Sequence, residues 1–307
     1  MDMDVGTVRK VTTGDCSDLY YLDTGMYDTP GYGAAYILDA DQPAIIETGL
    51  GTNHELLLEA LAEVGIDREE LAAIAVTHIH LDHAGGAGFL AEACPHASVY
   101  VPAAGASLLA DPGRLVAGTK AAVGDQWEFY VEPKPIDEDR IVELEDGDTV
   151  DLGNHELRAH RAPGHAFHQV VFEDPENNAV FTGDAAGIWV PPLERIVETS
   201  PPSDFDLEGC LADLETIAEI DPDVLLYTHF GPRDVSDTLE EALKTYAETL
   251  TAWVASVSDA REELEDETVI ADAADSADAD LIDVWGERKA RAEATMNARG
   301  VLDALEE

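Results

Sequence analysis

The stretch Val76-Thr77-His78-Ile79-His80-Leu81-Asp82-His83-Ala84-Gly85-Gly86 constrains this chain more than any other. It sets four potential metal ligands within six residues, directly after an apolar run that reads as a strand. In extended backbone His78 and His80 point to the same side, because strand side chains alternate with a period of two. The chain then turns at Asp82 and His83 and presents a second pair from the adjoining loop. Gly85 and Gly86 let a helix start close by. Three later segments match this one. Pro163-Gly164-His165 follows a strand ending at Arg161, Thr182-Gly183-Asp184 closes the strand at 179–182, and Thr228-His229-Phe230-Gly231 closes the strand at 224–228. Each puts one His or Asp at the carboxyl end of a strand. The resulting five histidines and two aspartates suffice for two divalent ions that share one carboxylate. Imidazole and carboxylate suit zinc, with iron or manganese as alternatives.

The frame around these segments is mixed. Apolar or alternating runs at 33–38, 44–47, 74–77, 98–101, 141–144, 156–161, 169–173, 179–182 and 224–228 predict strands. Helical spacing predicts helices at 53–64, with Thr52 or Asn53 as cap, and at 206–220, ended by Pro222. Strands come first in hairpin style and then alternate with helices, which indicates a mixed sheet system packed by helices. Residues 103–136 interrupt the rhythm with Gly, Pro and the aromatic cluster Trp127, Phe129 and Tyr130. A connection of that length is either a functional loop or lid, or a peripheral packing insert. The division expected is 1–235, carrying the site, and 236–307, with helices at 236–258 and 279–305 joined by an acid- and Ala-rich linker at 259–280.

The set HxHxDH, then PGH, TGD and THFG in that order, resembles the metallo-β-lactamase superfamily over about residues 5–235. The resemblance implies a four-layer αββα sandwich with the site at one edge, here with a carboxyl-terminal helical extension. It implies that His78, His80 and His165 hold a first metal, that Asp82, His83 and His229 hold a second, and that Asp184 bridges both. A hydroxide bridging the two ions would then attack a small ester, thioester or lactone, with Asp82 both ligating and orienting it. The helical end resembles that of glyoxalase-II-like thioester hydrolases, where it helps bind thiol cofactors.

Departures from the family pattern narrow the reading. The usual DTG is Glu47-Thr48-Gly49, so Glu47 is expected to back a ligand from behind, one methylene further out. The residues after Asp184 lack the Tyr of acyl-homoserine-lactone hydrolases, and His80 excludes flavodiiron proteins. Met26, Tyr27 and Tyr32, in a turn-rich loop, are candidates to line a substrate pocket. His168, in Pro163-Gly164-His165-Ala166-Phe167-His168, is either a pocket residue or a structural one, the latter preferred. Histidines 54, 96, 155 and 160 are expected to be structural and without partners. The basic cluster Arg288, Lys289 and Arg291 reads as an anion contact or, preferably, as surface ion pairing with Glu287 and Glu293. An iron-dependent persulfide dioxygenase, with one ion, is the alternative function.

Composition bears on partners. Lys and Arg total 17 against 65 Asp and Glu, for a net charge of −48 spread along the whole chain. Such a surface repels itself unless screened, and at molar salt the Debye length is about 3 Å. The composition resembles that of halophilic archaeal proteins. A nuclease is disfavoured, since no basic groove is present and salt would weaken its binding steeply. Three scattered cysteines give no disulfide framework, no apolar run reaches membrane-spanning length, and the opening MDMDVGTVRK lacks the apolar stretch expected of a signal peptide. A cytoplasmic enzyme acting on a small molecule is expected, with a homodimer through the last helices as an option.

Overall fold

Alternate residues along the strands serve opposite faces, and this alternation sorts the core into layers. The structure, a computed structural model, describes residues 4–306. Its first sheet runs in chain order through β1 (Arg9–Lys10), β2 (Leu19–Asp23), β3 (Ala34–Leu38), β4 (Ala44–Ile46), β5 (Ala73–Ala75), β6 (Ser98–Pro102) and β7 (Ile141–Leu144). Pairing is antiparallel as far as β4 and parallel beyond it. The second sheet contains β8 (Thr149–Asp151), β9 (Glu156–Arg161), β10 (Val170–Asp174), β11 (Ala179–Gly183), β14 (Val224–Tyr227) and β15 (Gly231–Asp234). Its order is β15-β14-β11-β10-β9-β8, and β11 with β14 is its parallel pair. A ribbon of β12 (Ile188–Val190) and β13 (Arg195–Val197) stands apart.

Tyr36, Leu38 and Ile46 from the first sheet meet Phe172, Phe181 and Leu226 from the second to form the inner core. The intervening residues face outward. Ile37, Ile45 and Ile74 pack against α1 (His54–Val64) and α3 (Ala87–Ala93), with α4 (Ala106–Ala110) beside them. Val171, Val180 and Leu225 pack against α6 (Leu207–Ile220), α7 (Leu239–Glu263) and α10 (Glu287–Ala304). The architecture is therefore the expected four-layer αββα sandwich with a helical carboxyl-terminal region. The short helix α2 (Leu81–Ala84) follows β5, and α5 (Gly113–Val123) lies in the connection between β6 and β7.

Two expectations about the helical end need correction. The segment 259–280 is not a linker: α7 runs on to Glu263 and α8 (Asp266–Asp275) follows. Its Ala and Glu residues favour helix, and Val269 and Ile270 supply apolar contacts that join the outer core. The helix expected at 279–305 is broken into α9 (Ala279–Trp285) and α10 by Gly286, whose φ of 82° leaves helical space. Among the described residues no helix is long and apolar enough to cross a membrane.

α10 is seated by close approach. The Asn297 side-chain carbonyl accepts the Ser200 backbone N–H at 2.8 Å, and the Ser200 hydroxyl donates to the Asn297 carbonyl at 3.0 Å. A Cβ at Gly300 would fall 2.0 Å from the Ser200 carbonyl oxygen. Gly300→Ala is expected to destabilise the protein by about 1–3 kcal/mol, the usual cost of overpacking. Chemical denaturation checks this, and an unchanged midpoint would show that α10 shifts freely on the loop.

Candidate metal centre

The seven residues reach one place because both sheets end their strands at the same edge. His78 and His80 follow β5, Asp82 and His83 lie in α2, His165 follows β9, Asp184 follows β11, and His229 lies between β14 and β15. Ligand atoms of His78, His80 and His165 lie within 4.8 Å of one another, as do those of Asp82, His83 and His229, and those of His78, His83 and Asp184. His165 Nε2 is 3.1 Å from Asp184 Oδ2, while His83 Nε2 and His229 Nε2 lie 3.5 and 3.6 Å from Asp184 Oδ1. Asp184 thus stands between the two groups of imidazoles.

Three of the rings are held from behind. His83 Nδ1 is 3.1 Å from Glu47 Oε2, His78 Nδ1 is 3.1 Å from the Thr77 hydroxyl, and His229 Nδ1 donates to the Tyr32 carbonyl at 2.9 Å. Each contact turns the opposite Nε2 inward. Glu47 Oε1 also accepts the Thr77 backbone N–H at 3.0 Å, so one buried carboxylate ties β4 to the segment bearing the histidines. Glu47 sits at φ 67°, left-handed space that a non-glycine residue occupies at a cost.

The site fits divalent cations. His83 Nε2 and Asp184 Oδ1 are buried without a hydrogen-bond partner among the described residues, and both face the centre. Imidazole nitrogens approach one another at 3.0 Å (His78 Nε2 to His80 Nδ1) and 3.2 Å (His165 Nε2 to His80 Nδ1). Converging buried acceptors of this kind suit a cation among them. Burial and the surrounding imidazoles hold His78 well below the usual histidine range, and burial takes His165 down to about 3 against the pull of Asp184. For His83, burial is outweighed by Asp184 and Glu47, which raise its pKa well above the ordinary value. Burial would lift Asp82 and Asp184, but the facing histidines hold both carboxylates below their usual range.

The centre forms the floor of a cleft of about 550 Å³. Tyr27, Tyr32 and His168 line it, whereas Met26 does not: it is buried beneath the loop, with its side chain against Gly33. The His168 ring stacks 6.0 Å from that of His78, and burial takes its pKa down to about 2. The insert between β6 and β7 supplies α5 and Tyr130 to the cleft, and α10 supplies Glu293, Met296 and Arg299. The Tyr27 and Tyr130 hydroxyls are 2.5 Å apart.

The basic cluster is bound up in ion pairs. Arg288 pairs with Glu128, and Arg291 with Asp275 at 2.7 Å and Glu287 at 3.1 Å. Lys289 is buried rather than on the surface. Its Nζ lies 2.6 Å from Glu293 Oε2, which also accepts the Tyr32 hydroxyl at 2.9 Å. Three of the four histidines expected to lack partners have them: His155 meets Asp174 at 3.1 Å, His160 meets Glu173 at 2.6 Å, and His54 stacks on Phe89.

Residues 28–229 match the model of the metallo-beta-lactamase superfamily. The chain belongs to the metallo-beta-lactamase superfamily. Within it, the metallo-beta-lactamase fold-containing protein ST1585 of Sulfurisphaera tokodaii is 24% identical over 74% of this chain and 85% of its own length. The solved structure of ST1585 from Sulfolobus tokodaii matches with a TM-score of 0.69 at 22% identity, covering 94% of this chain and 99% of that one, a likeness of fold. A human acyl-coenzyme A thioesterase, MBLAC2, is 26% identical over 54% of this chain and 62% of its own length. A hydroxyacylglutathione hydrolase of Synechococcus is 32% identical over 54% of this chain and 53% of its own length. The chain therefore spans just over half of each of these two enzymes.

One residue that supports the centre carries no motif. Asp213 of α6, buried, accepts the Gly164 N–H at 2.7 Å, and the Gly164 carbonyl accepts the Asp206 N–H at 2.8 Å. The helix runs so close that a Cβ at Gly164 would fall 2.0 Å from the Cys210 nitrogen. Burial raises the Asp213 carboxyl to about 7, against the Gly164 hydrogen bond. Between the ordinary aspartate range and about 7, the native state therefore holds a proton that the unfolded state has lost. The Asp213 contribution is full at acid pH and falls as pH rises through that window. Relative to Asp213→Asn, the wild-type Tm should drop as pH is raised from about 4 to about 7. A difference independent of pH would refute this.

Proposed function

We propose that this chain is a dinuclear metal-dependent hydrolase of small esters and thioesters, with thioesters preferred. The observation that carries the reading is the convergence of seven inward-facing ligand atoms at the floor of one cleft, three of the rings held from behind. His78, His80 and His165 would hold one ion, Asp82, His83 and His229 the other, and Asp184 would serve both. Zinc suits this donor set. When bound, two such ions supply Lewis acidity that lowers the pKa of a water toward neutrality and stabilises developing oxyanion charge.

The chain's own residues supply the rest. Asp82 is the more open of the two carboxylates, at 22% exposure against 6% for Asp184, so it can accept a hydrogen bond from an attacking water in the cleft. Its depressed pKa keeps it ionised for that task. Tyr27, Tyr32 and Ile188 wall off one side of the floor and limit bulk water there. The preference for thioesters is supported by the names of two relatives, an acyl-coenzyme A thioesterase and a hydroxyacylglutathione hydrolase.

Metal analysis by mass spectrometry tests the reading, on protein purified in molar salt without chelator. Close to two zinc ions per chain, with turnover of a thioester or ester panel, is the expected result. A single iron with oxygen uptake on persulfides would overturn it. Asp184→Ala should lose metal and turnover together, and near-wild-type activity would refute a shared ligand. Glu47→Gln should weaken metal affinity by roughly 10–100-fold in chelator competition while leaving the circular dichroism spectrum unchanged. Unaltered affinity would show that the carboxylate behind His83 contributes nothing to binding.

A further inference from the structure

Lys289 is the one Lys or Arg that is buried among the described residues, and its partner Glu293 is buried with it. Taking two charges out of water is costly, and an apolar pair of similar volume often serves the fold as well or better. What surrounds the pair shows what it holds. Lys289 Nζ stands 3.9 Å from the ring centroids of both Tyr27 and Tyr32, over their faces. Glu293 Oε2, 2.6 Å from that Nζ, accepts the Tyr32 hydroxyl at 2.9 Å. The rings of Trp285, in α9, and Tyr27 meet that of Tyr32 edge-on, with centroids 5.3 and 5.6 Å away. Tyr32 is thus gripped at its tip, its face and its edges. It holds His229 in turn. Its carbonyl accepts the His229 Nδ1–H at 2.9 Å, and its ring lies 4.8 Å from the imidazole, centroid to centroid. Among the described residues, that is the one hydrogen bond the His229 ring makes. His78, His80 and His165 make no hydrogen bond to Tyr32, Lys289 or Glu293.

We propose that Lys289 and Glu293 are positioning residues for His229, acting through Tyr32. They set the affinity of the ion held by Asp82, His83 and His229 and leave that of the other ion alone. A ligand ring held in place from behind binds its metal more tightly, and this ring is held through the last helix. The assignment of ions rests on the dinuclear reading above, whereas the positioning of the ring does not.

Zinc titration against a chromophoric chelator, with histidine-labelled NMR of the same samples, tests this on the full chain. The variant Lys289→Met/Glu293→Leu removes both charges and the acceptor together. One zinc step is expected to weaken by at least about tenfold in it while the other stays unchanged. The His229 Nδ1 proton should exchange with water roughly tenfold faster, with and without zinc, as for one loosened hydrogen bond. Lys289→Met/Glu293→Gln keeps an acceptor for Tyr32 and should recover part of both losses. Tyr32→Phe removes only the hydroxyl, keeps the ion pair, and should move both readouts the same way if the double variants do not fold. Asn297→Ala, which loosens α10 from the Ser200 loop, controls for helix docking and should move neither. Two zinc steps that no variant alters, or equal losses in Asn297→Ala, would overturn the positioning role. A single zinc step in the wild type, with faster proton exchange in the variants, sinks the dinuclear reading and leaves the positioning of His229 standing.

Discussion

The interleaved inner faces of the two sheets are the constraint on which everything else rests. His78, His80, Asp82 and His83 descend from the first sheet, whereas His165, Asp184 and His229 descend from the second. Neither sheet alone carries a complete set. The packing of Tyr36 and Ile46 against Phe172, Phe181 and Leu226 fixes how far apart the two edges lie, and so fixes the centre. Interiors packed to crystal density deform little, which makes such a core a better ruler than any loop. The Tyr36 hydroxyl, donating to the Tyr227 carbonyl at 2.6 Å, pins one sheet directly to the other two residues before His229.

The polar tethers then refine what the core sets. Glu47 links β4 to Thr77 and His83, Tyr32 holds His229, and α6 clamps the backbone at Gly164 just before His165. Each tether comes from an element other than the one bearing the histidine. A ring fixed from two sides loses little entropy when its inward nitrogen is engaged, which is the physical content of preorganisation. Glu47 holds its place in left-handed backbone at φ 67°, and both of its oxygens are satisfied there.

The convergent residues were legible because their signal is local. A His or Asp at the end of an apolar run is visible in a few residues, and the strand alternation that sorts Ile45 from Ile46 is equally short-range. Asp213, Glu293 and Arg299 had no such signal, since each sits on an amphipathic helix and its role depends on where that helix docks. Met26 and Tyr27 are neighbours in one loop, yet one is buried under it and the other faces the cleft, a difference set by the left-handed turn at Tyr27, φ 56°. At 259–280 acid-rich composition describes a solvated face as well as a solvated coil, and the packing of Val269 and Ile270 is what distinguishes them. Lys289 shows the converse, a charge that leaves the surface because Glu293 and two tyrosine rings, each 3.9 Å away, replace water around it.

Because α10 supplies one wall of the cleft, the site has an order of assembly in time. Translation delivers every candidate ligand before residue 287, ahead of the last helix. A nascent chain at that stage carries a centre open on one flank, with Tyr32 lacking Glu293 and the Ser200 loop lacking Asn297. The docking of α10 then closes that flank and leaves the cleft as the approach to the centre.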